Sequence, residues 1–270
     1  MAKKIKVGIV GCGNIGSNLA RFICTELKDS MSLTGIYDID EKKAKAFISG
    51  LRSGAKLMPV DKLIEKTDLL IETAQIDAAR DMIEKAVKRQ KDIIVLSLGA
   101  FVRYPSLVGL IRKSKGNVYI PSGAICGLDG IRSAAAGGIE KICLTTSKPP
   151  RSISGVPYLE KKKIDVFKLK KRKLVFKGSV REAIECFPKN INVAAAISLA
   201  SGCKDLEVRV EVDPALKRNR HKIEVFSKAA RINIEVENMP SPENPKSSYL
   251  TVLSARSLLK KIASNIKIGS

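Results

Sequence analysis

The run Ile5-Lys-Val-Gly-Ile-Val10 passes straight into Gly11-Cys-Gly-Asn-Ile-Gly16, and a helix-like stretch from Asn14 to Lys28 follows. An apolar, β-branched strand that ends in glycines at this spacing and opens into a helix constrains the fold more than any other feature of the chain. Gly11 allows a tight turn off the strand, Gly13 lets a pyrophosphate approach the backbone, and Gly16 lets the helix pack closely on the strand. The helix start at Asn14 and Ile15 offers unpaired N–H groups and a partial positive charge to the phosphates. A glycine corner also serves ordinary strand-to-helix turns, so the next element matters. Ser32-Leu-Thr-Gly-Ile-Tyr37 reads as a second strand ending at Asp38. That carboxylate falls about twenty residues beyond the glycines, where an acid hydrogen-bonds an adenosine ribose. It would repel a 2′-phosphate, which favours NAD over NADP.

Strand and helix patterns alternate up to about residue 120. Asp68–Thr73 and Asp92–Ser97 are short apolar strands, and Ala78, Met82, Ala86 and Val87 recur at helical spacing between them. Pro105–Lys115 suits a helix, and Asn117–Ile120 closes the series. Alternation of this kind predicts a parallel sheet with helices on both faces and ligands beyond the carboxyl ends of the strands. Thr73-Ala74-Gln75 and Ser97-Leu-Gly-Ala100 then share one rim with the glycine turn, which makes Ala74 and Ser97 cofactor-binding candidates.

Past Gly123 the pattern changes. Leu206, Val208, Val210 and Val212 alternate with polar residues, as do Ile223 and Val225, and Ile232, Ile234 and Val236. Period-two alternation predicts a mostly antiparallel sheet with one buried face, covered by helical segments near 127–137, 179–186 and 191–201. The expected organisation is a dinucleotide-binding domain over 1–122 and an α/β domain over 123–244. Met239–Pro245 reads as a proline-stiffened loop. The final helix, Ser247 to Ile266 within 245–270, should pack back on the first domain, so that the chain crosses an interdomain cleft twice.

The charge of +22, from 49 Lys and Arg against 27 Asp and Glu, admits a nucleic-acid reading, with residues 160–177 as the basic patch. Within that patch apolar residues alternate with lysines, as on a strand pair with one wet face. Only 4 % of residues are aromatic and Trp is absent, which disfavours a base-stacking platform. The field of such a chain would also speed the encounter with a dianionic substrate and an anionic cofactor. No apolar run reaches membrane-spanning length, and no leader is recognisable at the start, so a cytoplasmic location is expected. Six cysteines are scattered without a C-x-x-C pair and read as small buried hydrophobes. With one histidine and no thiol cluster, no metal site is expected.

That histidine, His221, lies in Arg218-Asn-Arg-His-Lys-Ile-Glu-Val225, on the strand face of Ile223 and Val225. It is either a hydrogen-bonded core residue or the group that handles a proton during hydride transfer, since imidazole titrates nearest neutral pH. Arg218 and Arg220 would favour its neutral form if they pointed inward, although alternation turns Arg220 away. Two further stretches look built for ligand. Pro121-Ser-Gly-Ala-Ile-Cys-Gly-Leu-Asp129 crosses between the domains and carries Ser122 and Ala124. Pro188-Lys-Asn-Ile-Asn-Val193 puts Asn190 and Asn192 at a helix start, as simple caps or as amides that hold nicotinamide or substrate.

These stretches together resemble the L-aspartate dehydrogenase family. The matching pieces are Val10–Gly16, Leu98-Gly-Ala100, Ile120–Ile125 with Gly127-Leu-Asp129, Asn190–Ala195, Arg218-Asn-x-His221 and Asn244-Pro-Lys-Ser-Ser248, in order along nearly the whole chain. The resemblance implies a Rossmann domain plus an α/β catalytic domain, a homodimer, NAD(P) contacts at Ala124 and Asn192, and His221 as the catalytic residue. It implies oxidation of L-aspartate to iminosuccinate, feeding NAD biosynthesis. Ser122, Asn190, Lys246 and Ser247 are the substrate-binding candidates, with Lys246 a candidate clamp for a substrate carboxylate. Cys126, Gln75 and Tyr249 depart from the family pattern and bear on the pocket's dimensions. A related dehydrogenase acting on a semialdehyde or hydroxy acid, and a non-catalytic NAD-binding regulator, are the competing expectations.

Overall fold

The computed structural model describes residues 3–188, 191–203 and 205–269. They divide into two compact units, one within 3–121 with 252–268 and the other within 122–251 with Gly269.

The first unit runs β1 (Ile5–Val10), α1 (Asn14–Thr25), β2 (Met31–Tyr37), α2 (Glu41–Ser49), β3 (Lys56–Leu57), α3 (Val60–Lys66), β4 (Leu69–Glu72), α4 (Ile76–Lys88), β5 (Asp92–Val95), α5 (Gly99–Arg103), α6 (Ser106–Ile111) and β6 (Val118–Tyr119). Its six strands are all parallel, in the order β3-β2-β1-β4-β5-β6, the doubly wound order of a Rossmann sheet. Strands covered on both faces must be apolar throughout, and β4 is buried at every position, its terminal Glu72 included. The expected helix over 105–115 is shorter than its apolar pattern, and α5 precedes it.

The second unit contains α7 (Leu128–Ala136), β7 (Ile139–Lys148), α8 (Pro157–Lys161), β8 (Lys173–Ser179), α9 (Val180–Cys186), α10 (Asn192–Ser201), β9 (Glu207–Val212), β10 (Asn219–Ser227), β11 (Arg231–Asn238), β12 (Pro240–Ser241) and β13 (Asn244–Ser248). The large sheet has the order β11-β10-β7-β9-β8. Only β7 and β9 pair in parallel; the other neighbours are antiparallel. A Ser179–Glu182 capping box starts α9, satisfying two orphan donors of that helix.

Three expectations need correction. Residues 160–177 are not a strand pair. The side chain of Asp165 accepts from the Phe167 N–H at 3.0 Å and caps a short 3-10 turn, and only β8 is extended. Residues 239–245 are not an open loop but carry β12 and enter β13, which pair as a short hairpin; Pro240 is tolerated because so short an edge demands few N–H donors. Among the cysteines, Cys12 and Cys143 are buried but Cys126 is exposed, because it sits in the irregular turn before α7 rather than on a packed face.

The last helix, α11 (Tyr249–Ala263), begins in the second unit and continues into the first. There Ala255 and Leu259 are fully buried in one cluster with Val7, Leu19, Ile23 and Ile36. Leu259→Ala should therefore destabilise the first unit by about 2–5 kcal/mol, whereas Leu253→Ala, at a 37 % exposed position, should cost well under half of that. Urea titrations of the two variants against the parent check the contrast.

Candidate active site

The glycine turn of the first unit is held from below. Gly11 has φ +94°, and its N–H donates to the Tyr37 carbonyl at 2.7 Å. A Cβ on Gly11 would meet the Thr73 carbonyl oxygen at 2.9 Å, and one on Gly16 would lie 1.9 Å from the Gly11 carbonyl oxygen. Gly13, at the N-cap of α1, differs: a Cβ there would meet nothing within 4 Å. Two glycines thus serve packing, and the third faces open space in front of the Asn14 and Ile15 N–H groups. That is the cradle a pyrophosphate requires, and the residues present fit a dinucleotide.

Asp38 closes the same turn. Its Oδ2 accepts from the Cys12 N–H at 2.6 Å and faces the Cys12 thiol at 3.1 Å, while Oδ1 accepts from the Asp40 N–H at 2.9 Å. Partial burial raises its pKa, but these hydrogen bonds outweigh burial and hold it below the usual carboxylate value. The carboxylate is therefore ionised and retains acceptor capacity for a ribose hydroxyl. The Cys12 thiol is pushed up to about 11 by burial and by Asp38, which leaves it unreactive.

Ala74 and Ser97 are joined by a residue the sequence reading passed over. Glu72, fully buried at the end of β4, accepts from the Ala74 N–H at 2.6 Å and the Ser97 hydroxyl at 2.8 Å through Oε1. Its Oε2 accepts from the Ser97 N–H at 3.0 Å and the Leu96 N–H at 3.2 Å. Burial raises its pKa against these donors. The carboxyl group ties the turn after β4 to the turn after β5, and its only sequence signal is an acid inside the apolar run Leu69-Leu-Ile-Glu72. Glu72→Gln should set an NH2 group against backbone donors and cost about 1–3 kcal/mol, read as a lower Tm.

In the second unit His221 is 7 % exposed, and its Nδ1 lies 3.0 Å from the Thr146 hydroxyl. The register sets Val236, His221, Thr146 and Val210 side by side across four strands. Two residues along β7 on the same face stands Lys148, also buried. Lys148 and Thr146 line a small pocket, with cavity volume of about 10 Å³, whose walls include Leu144, Ile153, Phe187 and Val210. Burial, and secondarily the charge of Lys148, depress the His221 pKa to about 3, while burial lowers Lys148 to about 8. The neutral imidazole thus owes nothing to the flanking arginines: Arg218 is exposed and Arg220 points to the opposite face, 3.8 Å from Glu235.

The remaining candidates are scattered around the second unit. Ala124 is fixed by its carbonyl, which accepts from the buried Asn238 Nδ2 at 2.9 Å, and the Asn238 Oδ1 accepts in turn from the Ser248 hydroxyl. Ser122 is half-buried one residue before Gly123, which has φ +67°. Asn192 is exposed at the first position of α10. The Ser247 hydroxyl donates to the Asn244 carbonyl at 2.9 Å. Asn190 and the side chain of Lys246 lie outside the described residues. No group of His, Cys, Asp and Glu able to hold a metal ion occurs among the described residues, nor is any described helix long and apolar enough to cross a membrane.

Comparison with known proteins gives these features a context. Residues 129–262 match the family model "Aspartate dehydrogenase, C-terminal", and residues 11–121 match "Homoserine dehydrogenase, NAD binding domain". An L-aspartate dehydrogenase of Methanosarcina mazei is 42 % identical over 98 % of this chain and all of its own length. The chain belongs to the L-aspartate dehydrogenase family. A Bradyrhizobium diazoefficiens member is 36 % identical over the whole chain and 95 % of its own. The crystal structure of aspartate dehydrogenase from Thermotoga maritima superposes with a TM-score of 0.76 at 28 % identity, covering 99 % of this chain and 100 % of that one. The family's NAD(P)-dependent dehydrogenase plan agrees with the cradle at Gly13 and with the two-unit fold.

Two outcomes follow from the geometry. Gly13→Ala should leave the melting temperature nearly unchanged and raise the NADH Kd about tenfold or more, read by cofactor fluorescence, whereas Gly16→Ala should damage the fold itself. The second concerns acid. Because the folded His221 pKa lies below its unfolded value of 6.5, the unfolded chain binds the extra proton between the two. Stability is therefore lost as pH falls from 6.5 toward 3, by up to about 1.4 kcal/mol per pH unit. In His221→Gln this contribution to the slope should vanish, as measured by urea unfolding at about pH 4, 5 and 7.

Proposed function

We propose that this protein oxidises L-aspartate to iminosuccinate, which water then converts to oxaloacetate and ammonia, and that His221 handles the proton. The observation that carries the reading is a single imidazole, buried, neutral and oriented by Thr146, beside a pocket lined by Thr146 and Lys148 in a chain of the aspartate dehydrogenase family. NAD or NADP, when bound at the Gly11–Gly16 turn, supplies the hydride acceptor; Asn14, Ile15, Gly16, Ala74 and Ser97 would hold it, with Ala124 and Asn192 contributing from the second unit. Asp38 favours NAD, since its ionised carboxylate accepts from a ribose hydroxyl and repels a phosphate.

Oxidation requires the substrate's amino group to be neutral when hydride leaves Cα. The tautomer of His221 that donates from Nδ1 to Thr146 leaves Nε2 as the proton acceptor. In the amination direction the same nitrogen returns the proton to the nascent amine. Ser122, Asn190, Lys246 and Ser247 are proposed substrate contacts on the strength of the family resemblance. A cytoplasmic homodimer, with 123–244 as the catalytic and dimerisation domain, is supported by the same resemblance.

The direct test mixes protein, L-aspartate and NAD and follows the reduced-nicotinamide absorbance, with L-glutamate, L-alanine and L-homoserine as comparators. Turnover confined to aspartate is expected; preference for homoserine would move the protein to a different reaction. His221→Ala should keep its NADH affinity and lose kcat by about 10²–10⁴-fold, and near-normal turnover would remove His221 from the chemistry.

A further inference from the structure

The turn before α7 is tethered by a buried amide that the proton transfer does not use. Asn238 ends β11 with 4 % of its surface exposed, on the strand face of Ile232, Ile234 and Val236. The register sets it opposite Asn219, next on that face to the pair of Val236 and His221. Its amide can face only one way. A backbone carbonyl accepts and never donates, so the atom 2.9 Å from the Ala124 carbonyl oxygen is Nδ2. Oδ1 is then left to accept from the Ser248 hydroxyl. One side chain thus joins a turn 114 residues before it to a strand 10 residues after it.

We propose that Asn238 is a positioning residue for the cofactor: it sets the Ala124 peptide toward the nicotinamide half of NAD(P), and Ser248 in turn sets Asn238. The inference rests on the reading of Ala124 above as a cofactor contact. The glycine turn and Asp38 account for the pyrophosphate and the adenosine ribose, which leaves the nicotinamide half to contacts from the second unit. The turn requires a tether, because Gly123 at φ +67° and Gly127 at φ +75° bracket Ala124, and glycine widens the choice of backbone conformation. Ile125 is buried and anchors the apolar side of the turn. Apolar burial has no direction, whereas a hydrogen bond to the Ala124 carbonyl orients its peptide plane.

The β12–β13 hairpin completes the arrangement. Ser248 closes β13 opposite Pro240, and the Tyr249 N–H donates to the Met239 carbonyl at 2.9 Å. The base of the hairpin is therefore pinned beside Asn238 by backbone bonds. Removing the amide would leave the Ala124 carbonyl and the Ser248 hydroxyl without this partner. Asn238 accordingly connects the proposed cofactor contact at Ala124 to the segment that carries the proposed substrate contact at Ser247.

The test compares NADH, followed by cofactor fluorescence, with ADP-ribose, which lacks the nicotinamide, followed by calorimetry, on the full-length protein. Asn238→Ala should raise the NADH Kd about tenfold or more and leave ADP-ribose binding close to that of the parent. Ser248→Ala should weaken NADH in the same direction by a smaller factor, while Ser248→Thr, which keeps the hydroxyl, should match the parent. The Asn238→Ala, Ser248→Ala double variant should bind NADH no more weakly than Asn238→Ala alone, since both act through one network. In turnover with L-aspartate, KM for NAD should rise with the NADH Kd while kcat falls much less, because His221 and Thr146 are untouched; a second unit that had merely come apart would lose kcat. Should Asn238→Ala melt below the assay temperature, the two Ser248 variants decide the matter. Parent-like NADH affinity in folded Asn238→Ala, equal NADH affinity in Ser248→Ala and Ser248→Thr, or an equal loss of ADP-ribose affinity overturns the assignment. NADH binding that depends on Asn238 in a protein that does not turn over L-aspartate would instead overturn the reading of the reaction and leave Asn238 in its role.

Discussion

Two basic side chains buried on one face of one sheet set the terms for the second unit. Neither His221 nor Lys148 can be charged there without a penalty, because transfer from water removes solvation that apolar walls do not return. The fold meets this by placing β7 between β10 and β9, so that Thr146 stands against His221 and fixes its ring. Helices α9 and α10, with Ile191 immediately before α10, supply Ala183, Ile191 and Ala194 to the pocket wall. A sheet face of this kind would be more stable with hydrophobic residues of similar volume. Retaining polar groups there is the pattern found where stability is given up for chemistry.

The first unit solves a different problem, that of bringing backbone close to a phosphate without leaving its own donors unsatisfied. Thr73 Oγ1 lies 2.9 Å from the carbonyl oxygens of both Val10 and Gly11, and Asp38 takes up the Cys12 N–H. Glu72 gathers three N–H groups and one hydroxyl from the adjoining turns. The rim is thus built from turns that are tied to one another before any ligand arrives. Rigid donors directed at a fixed place need no reorganisation on binding, and that lowers the entropic cost of holding a flexible dinucleotide.

How much of this was legible in the chain depended on whether burial left a periodic trace. The parallel sheet was readable because strands buried on both faces are apolar runs, and the fingerprint because only glycine tolerates the contacts at Gly11 and Gly16. Strands β9, β10 and β11 showed clean alternation. β7 did not, although it is the central strand of its sheet: its inward positions run Ile142, Leu144, Thr146, Lys148, and the polar pair at its end erased the period-two signal. The residues that hide the strand are those that line the pocket. Glu72 escaped notice for a related reason, since an acid at the end of an apolar run ordinarily marks where burial stops. The basic stretch 160–177 misled in the opposite sense. Its alternation was real in sequence, but Asp165 and the packing of Tyr158 against Phe176 and Phe187, with ring centroids 5.9 and 5.2 Å away, impose a turn and a helix that pattern alone does not reveal.

A base whose pKa lies near 3 is a poor acceptor at neutral pH, which would argue against His221 if its surroundings were fixed. They are not fixed, because one of the two influences that depress it is an ammonium group and not the apolar wall. Each pKa unit regained corresponds to about 1.4 kcal/mol in the proton-transfer equilibrium. An anion brought near the Lys148 ammonium would return part of that free energy, whereas a neutral molecule of the same size would return none. Burial, the larger of the two influences, keeps the imidazole neutral at neutral pH.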